Sequence, residues 1–282
     1  MLSGAIEVLP ARAGSDEGTR GTVVNHRMRE VTELVAGQGT WDAGMVDEVR
    51  VLFDSLAPEW TVTRDHPDRN LPLVDALDRG GVEGRTAVEL GAGTCISARA
   101  LSGRFERLVA IDLSREMLAH AVDAAPPLVC ADASRLPLAD RAVDVLVLQN
   151  MFLFPVEVDR CLAGEGSLVW VNSRGSETPI HLPTAAVVAS MESVTGSAWR
   201  AVTSMVGEAT WAVVRRACGP GSGAWDADSE GAAVAGEVNG NLCISHPELD
   251  YDFGTFRRQF GSGLQDGGSQ VAYVAGIDPV DP

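Results

Sequence analysis

The sequence predicts an α/β domain with a mostly parallel sheet, helices on both faces and an antiparallel hairpin at its end. From residue 86 onward, short apolar runs alternate with segments of helical periodicity, which is the pattern of buried parallel strands. The last two apolar runs, 198–205 and 210–215, have no helix between them, so one of them should enter antiparallel. In addition, the run 86–90 leads directly into two glycines, Gly91 and Gly93, as expected for a strand, a tight turn and a helix start.

Composition and net charge restrict the possible class of protein and its partners. The chain has 282 residues, of which 45% are hydrophobic and 22% charged, so it can bury a sizeable core. Its net charge of −17 argues against nucleic acid and anionic membrane surfaces as partners, because a phosphate-backbone binder needs a basic footprint. The five cysteines are odd in number and form no C-x-x-C pair, so we predict reduced thiols, no metal site and no disulfide framework.

The chain shows no signal peptide and no apolar run of the ~20 residues that a membrane span needs, so we expect a cytoplasmic protein. Residues 1–22 are rich in Gly, Ser, Arg and Asp and are predicted to be a mobile N-terminus. Residues 23–70 are predicted to be a helical cap. Its first helix ends at Gly37, and its second is capped by Asp42 and stopped by Pro58, before a polar, irregular stretch.

The main domain is predicted over residues 71–217. A helix over 71–78 opens it. Five strands are then predicted over 86–90, 108–111, 128–131, 143–148 and 167–172, and helices over 94–101, 115–122, 156–162 and 183–194, with Ser114 as the cap of the second of these helices. Residues 218–282 are predicted to be an acidic, Gly-rich C-terminal extension.

Polar residues end four of the predicted strands. They are Glu89, Asp112, Asp132 and Gln149, and ligands of open α/β sheets bind beyond the carboxyl ends of the strands. An acid at Asp112, about 20 residues after the glycine turn, can accept hydrogen bonds from both hydroxyls of a ribose. Asp132 and Ala133 can reach an adenine amino group.

Two apolar side chains and the absence of known phosphate-binding motifs limit the class of ligand further. Leu113 and Met117 can hold the adenine ring between them. A dinucleotide site would have G-x-G-x-x-G, but the third position here is Ile96, and no P-loop is present. The site therefore looks built for adenosine without a pyrophosphate.

Three ordered segments carry a family resemblance. They are VELGAGT at 88–94, AIDLSREML at 110–118 and CADASRLPL at 130–138, supported by RAVDVL at 141–146. Together they resemble the successive motifs of the class I S-adenosylmethionine-dependent methyltransferases, and most of all the small-molecule group related to quinone-biosynthesis methyltransferases. The resemblance covers roughly residues 70–217. It implies a Rossmann-like, doubly wound, seven-stranded sheet and S-adenosyl-L-methionine as the cofactor.

The resemblance also implies roles for individual residues. Gly91, Ala92 and Gly93 would contact the methionine part of the cofactor, and Glu89 would hold its amino group. Asp112 would bind the ribose, Asp132 and Ala133 the adenine, and Gln149 is a further candidate for cofactor binding. The family often has another glycine where this chain has Cys95. A side chain there is expected to crowd the turn, although a small buried residue at a helix start explains it more simply than a reactive thiol.

Candidates for catalysis are few. Methyl transfer from a sulfonium depends mainly on alignment, and a general base is needed only when the acceptor must lose a proton. His66 and His181 are the candidates, although a surface or structural role explains each of them as well. Met151, Phe152 and Phe154 can line an acceptor pocket or simply pack, Trp41 and Trp60 can belong to a lid or to the core, and Arg174 can meet an acidic substrate or be solvated.

These observations lead to one main hypothesis and two alternatives. The main hypothesis is a methyltransferase that acts on a small-molecule acceptor, with the acceptor atom (O, N or C) and the oligomeric state left open. The first alternative is a non-catalytic protein that keeps the fold as a binding or assembly module, as Cys95 and the lack of an evident base suggest. The second is an NAD-type oxidoreductase, which the missing third glycine disfavours.

Overall fold

The computed structural model describes residues 5–14, 26–66 and 68–217, and the backbone of 271–273. Within these residues the strands are β1 (Ile6–Val8), β2 (Thr86–Leu90), β3 (Arg107–Asp112), β4 (Leu128–Cys130), β5 (Val143–Gln149), β6 (Leu162–Asn172), β7 (Trp199–Val206), β8 (Ala209–Arg216) and β9 (Val271–Tyr273). The helices are α1 (Arg27–Gln38), α2 (Ala43–Arg64), α3 (Leu71–Arg79), α4 (Ala98–Leu101), α5 (Arg115–Ala119), α6 (Pro155–Cys161) and α7 (Thr184–Thr195), with a 3₁₀ turn at Gly175–Glu177.

All described strands form one sheet in the order β1-β7-β8-β6-β5-β2-β3-β4-β9. Strands β2 to β6 pair in parallel, whereas β8 runs antiparallel to both β6 and β7. The predicted α/β fold with an antiparallel terminal hairpin is therefore confirmed. Because β5 and β6 lie beside β2 on one side and β3 and β4 on the other, the sheet order reverses at β2, which is where ligands of such sheets bind.

The described sheet has one additional strand at each edge, compared with the seven strands predicted. At one edge β1 pairs in parallel with β7, with Ile6 opposite Ala201, so the N-terminus expected to be mobile contains a strand. It is fixed by an ion pair of 2.8 Å between Arg12 and the buried Asp75. At the other edge β9 pairs in parallel with β4. The rest of the predicted C-terminal extension lies outside the described residues.

Helix α2 does not stop at Pro58 as predicted but continues to Arg64. A proline inside a helix lacks one backbone hydrogen bond, and side-chain contacts hold the turn that follows it. The ring of Trp60 packs on Phe53 with centroids 5.8 Å apart, and Thr61 Oγ1 donates to Thr94 Oγ1 at 2.7 Å. Among the described helices, α2 included, none combines the length and apolar character that crossing a membrane would require.

The core lies on both faces of the sheet. One layer contains α1, α6 and α7, represented by the fully buried Val31 and Val187. The other contains α3, where Leu73 packs with Trp211 of β8. Burying a side chain of this size contributes roughly 1.5–3 kcal/mol, so helices on both faces are expected for strands as apolar as β2 and β5. This arrangement leaves the carboxyl ends of the strands free for a site.

Candidate functional site

A cavity of about 920 Å³ opens at the carboxyl ends of the central strands, beneath α1 and α2. This is within the usual size range of small-molecule sites. Eleven of the twelve site residues predicted from the sequence line it: His66, Glu89, Gly91, Ala92, Gly93, Asp112, Leu113, Met117, Asp132, Ala133 and Gln149. The structure therefore brings together side chains that are distributed over more than 80 positions of the chain.

The glycine turn after β2 forms the floor of the cavity. Gly91 has a φ of +66° and Gly93 a φ of +56°, a left-handed conformation that glycine adopts readily. A Cβ atom at Gly91 would lie 2.4 Å from Met151 Sδ, whereas one at Gly93 would meet nothing closer than Trp60 Nε1 at 3.5 Å. The backbone at Gly93 is therefore the more open of the two to a ligand.

Asp112 links this turn to the next strand. Its carboxylate accepts the backbone N–H of Gly93 and that of Ser114, both at 2.7 Å. Ser114 in turn caps α5 through a bond from Met117 N to its hydroxyl at 3.0 Å, as predicted. Burial raises the pKa of Asp112 to about 6, against the opposing effect of the two backbone donors. The carboxylate is thus fixed in place at the wall of the cavity.

Glu89 is the most buried acid of the cavity, with 3% of its surface exposed. Among the described residues, its hydrogen-bond donor is the hydroxyl of Ser97. Burial raises the pKa of Glu89 to about 7, although that hydroxyl and the charge of Arg69 act in the opposite direction. A single neutral hydrogen-bond donor offsets only part of the free energy that an ionised carboxylate loses when it is removed from water. A cationic group beside Glu89 would therefore be favourable.

Asp132 already has partners from the protein. The indole N–H of Trp41 donates to its two carboxylate oxygens, at 3.1 and 3.0 Å, and the backbone N–H of Ser134 donates at 2.8 Å. Trp41 also packs on Phe152 and Phe154, with ring centroids 5.7 and 5.3 Å away. The connection between α1 and α2 thus closes the cavity above the end of β4. Sequence reasoning proposed Trp41 for a lid or the core but missed this contact.

Cys95 has the left-handed conformation that glycine would adopt easily, with a φ of +58°. Its side chain is fully buried in a cluster with Ala98, Ala110 and Leu118 and is absent from the wall of the cavity. Burial and the charges of Glu89 and Asp112 raise the pKa of its thiol. The structure therefore supports a small buried residue behind the turn, rather than a reactive thiol or a side chain that crowds the ligand.

This conformation predicts an unusual result for two substitutions. Glycine ordinarily costs up to about 1 kcal/mol relative to alanine, but a non-glycine residue in the left-handed region costs roughly 1–2 kcal/mol. We expect Cys95→Gly to be at least as stable as Cys95→Ala in urea denaturation, although both lose the buried thiol. A Cys95→Ala protein that is more stable by about 1 kcal/mol would contradict the assigned backbone conformation.

The two candidate histidines have different surroundings. His66 lines the cavity, and its Nδ1 atom is buried without a hydrogen-bond partner among the described residues. Asn70 Oδ1 and Gln149 Oε1 are also buried without a hydrogen-bond partner among these residues. Both Asn70 and Gln149 line the same cavity. His181 instead lies against Arg29, with 3.4 Å between Nδ1 and Nη1, outside the wall of the cavity. Of these two candidates, His66 is therefore the one that lies within reach of a ligand in the cavity, although His26, whose Nδ1 accepts the backbone N–H of Met28, also lines it.

Comparison with known proteins gives a family for the central segment. Residues 88–165 match the family described as "Methyltransferase domain". A curated relative, the demethylmenaquinone methyltransferase of Renibacterium salmoninarum, is 32% identical over 111 residues. The match covers 36% of this chain and 46% of the relative, so the chain spans less than half the length of that protein.

The chain is also similar in fold to solved structures. A SAM-dependent methyltransferase from Thermotoga maritima is 14% identical with a TM-score of 0.45, over 59% of this chain and 98% of the other. The DhpI–SAH complex is 20% identical with a TM-score of 0.49, over 64% of this chain and 100% of the other. The family match includes the last three residues of β2, its glycine turn, Asp112 and Asp132. Residues 88–165 are therefore similar to a methyltransferase domain.

Proposed function

We propose that the protein is an S-adenosylmethionine-dependent methyltransferase that transfers a methyl group to a small-molecule acceptor. The main support for this proposal is the position of three carboxylates. The carboxylates of Glu89, Asp112 and Asp132 belong to three adjacent strand ends, and they line one cavity around a glycine turn. Such a row of acceptors suits a ligand that presents an ammonium group, two ribose hydroxyls and an adenine amino group in sequence.

The residues of the cavity fit this cofactor part by part. Glu89 would hold the ammonium group, because its buried carboxylate has only a hydroxyl as hydrogen-bond donor among the described residues. Asp112 would accept from the ribose, and Asp132 with Ala133 would meet the adenine between Leu113 and Met117. The unpaired Gln149 Oε1 would take a further donor near the methionine part. When bound, the cofactor supplies a methyl group on a positively charged sulfur.

The remaining residues would align the acceptor and exclude water. The rings of Trp41, Phe152 and Phe154 form an apolar wall above β4 and β5, and Met151 covers the glycine turn. Alignment accounts for most of the rate in such a transfer. For acceptors that must lose a proton, His66 is the better placed of the two candidate bases, because it lines the cavity.

A turnover assay tests this function. Purified protein is incubated with methyl-labelled S-adenosylmethionine and a library of small hydroxylated, amino and carbon-acid compounds, and mass spectrometry measures S-adenosylhomocysteine and labelled product together. We expect both to rise with at least one acceptor, and neither to rise with Asp112→Ala. Cofactor binding without turnover across a broad library would contradict the catalytic proposal and support a binding or assembly module instead.

A further inference from the structure

Two arginines line the cavity close to the end of β6. They are Arg69, just before α3, and Arg174, which follows β6. We propose that Arg69 and Arg174 form an anion-binding subsite that recognises a carboxylate or phosphate group on the methyl acceptor. This inference rests on the proposed function and names the class of its substrate.

Arg69 is fixed by a small polar network at the strand ends. Its Nη1 donates to Ser173 Oγ at 2.9 Å. Asn150, which follows β5, donates from Nδ2 to the same oxygen at 3.0 Å and accepts the backbone N–H of Ser173 at 2.8 Å. Asn150 adopts a φ of +55°, which asparagine tolerates better than most residues. The guanidinium group is therefore held in a defined orientation before any ligand binds.

Within the part of the chain that the structure describes, the two arginines have no acidic partner, although the net charge of the whole chain is −17. Among the described residues, neither guanidinium group has a carboxylate oxygen within 4.0 Å. Burial and the charges of Arg64 and Arg174 lower the pKa of Arg69 to about 10, partly opposed by Glu89. Like charges placed together in a half-buried site are stabilised by an anion, and the planar guanidinium group matches the geometry of carboxylates and phosphates.

The sheet order places this subsite on the acceptor side. Ser173 follows β6, which is separated from β2 by β5. Because neighbouring strands are about 4.8 Å apart, the end of β6 lies about 10 Å from the end of β2. Asp112 and Asp132 lie in the opposite direction, at β3 and β4. Glu89, Asp112 and Asp132 thus lie where the cofactor would bind, whereas Arg69 and Arg174 lie beyond β5. Asp68, Glu177 and Glu208 also line the cavity, but none of them forms an ion pair with either arginine among the described residues.

Binding of simple probes tests the subsite directly. Isothermal titration measures benzoate, phenyl phosphate and the uncharged benzamide against protein saturated with S-adenosylhomocysteine. We expect wild type to bind the better of the two anions at least tenfold more tightly than benzamide, and that anion identifies the acceptor group. Arg69→Gln and Arg174→Gln should each reduce the preference to less than threefold. The matched control is Arg200→Gln, on the exposed face of β7 and outside the cavity wall, which should keep the preference unchanged.

Three outcomes would overturn the inference. The first is a wild type that binds benzamide as tightly as the anions. The second is an anion preference that survives in Arg69→Gln and Arg174→Gln. The third is an Arg69→Gln protein that keeps the preference but binds S-adenosylhomocysteine tenfold more weakly, which would assign Arg69 to the cofactor's carboxylate. Failure of wild type to bind S-adenosylhomocysteine would instead contradict the proposed function. The same titrations without S-adenosylhomocysteine would then test the anion preference separately.

Discussion

Replacing Asp112 by alanine is expected to weaken S-adenosylmethionine binding at least about 100-fold. The substitution removes the acceptor for two ribose hydroxyls, and a hydrogen bond to a charged group contributes about 1.5–3 kcal/mol. It also removes the acceptor of the Gly93 and Ser114 backbone N–H groups, so the glycine turn loses its link to β3. Isothermal titration calorimetry with wild type and Asp112→Ala measures the effect.

Asp144 offers a matched control for the structural part of this loss. Its carboxylate also accepts two backbone N–H groups, those of Arg85 at 2.8 Å and Thr86 at 2.9 Å. However, it lies near the amino-terminal ends of the central strands β2 and β5, whereas the cavity lies at their carboxyl ends. Asp144→Ala should therefore lower stability but bind S-adenosylmethionine within twofold of wild type. Equal affinities of Asp112→Ala and Asp144→Ala would refute the assignment of Asp112 to the ribose.

The second large effect concerns Glu89 and the pH dependence of cofactor binding. Burial raises the pKa of Glu89 to about 7, so Glu89 is partly protonated near neutral pH when no cofactor is bound. An ammonium group prefers the ionised carboxylate, so binding near and below pH 7 should release a proton. The affinity should therefore fall as the pH is lowered from 8 to 6. Titrations in buffers with different ionisation enthalpies measure both the affinity and the protons released.

Glu89→Gln isolates this contribution. It keeps the shape of the side chain but cannot ionise, so we expect roughly 10- to 100-fold weaker binding at pH 8, in keeping with the loss of a charge-assisted hydrogen bond. The proton release attributed to Glu89 should disappear. Asp112, with a pKa of about 6, would leave a smaller release at lower pH. If Glu89→Gln released as many protons at pH 7 as wild type, Glu89 would not be the group that titrates on binding.

Sequence patterns predicted the centre of the fold well because local signals mark it clearly. The bounds of β2 are as predicted, since an apolar run meets Gly91 at its end. The cap of α5 at Ser114 was also predicted, because serine is strongly preferred at the position before the first turn of a helix. The edge strands were missed because each is only three residues long. Their stability comes from distant partners, as in the ion pair between Arg12 and Asp75.

The same distinction applies to the candidate site. Residue types at the strand ends were sufficient to nominate Glu89, Asp112 and Asp132, because the ends of parallel strands meet at one edge of a sheet. The contacts of Trp41 with Asp132 and of Arg69 with Ser173 join residues 91 and 104 positions apart. No local pattern marks such pairs, since they depend on how α2 and the segment before α3 pack over the sheet.

A crystal structure with S-adenosylhomocysteine tests the central claim most directly. We expect the ligand's amino group beside Glu89, its ribose hydroxyls on Asp112 and its adenine next to Asp132 and Ala133. The sulfur should face the side of the cavity that contains Asn150 and Arg69. A ligand bound outside this cavity, or bound with its adenine towards β6, would contradict the account.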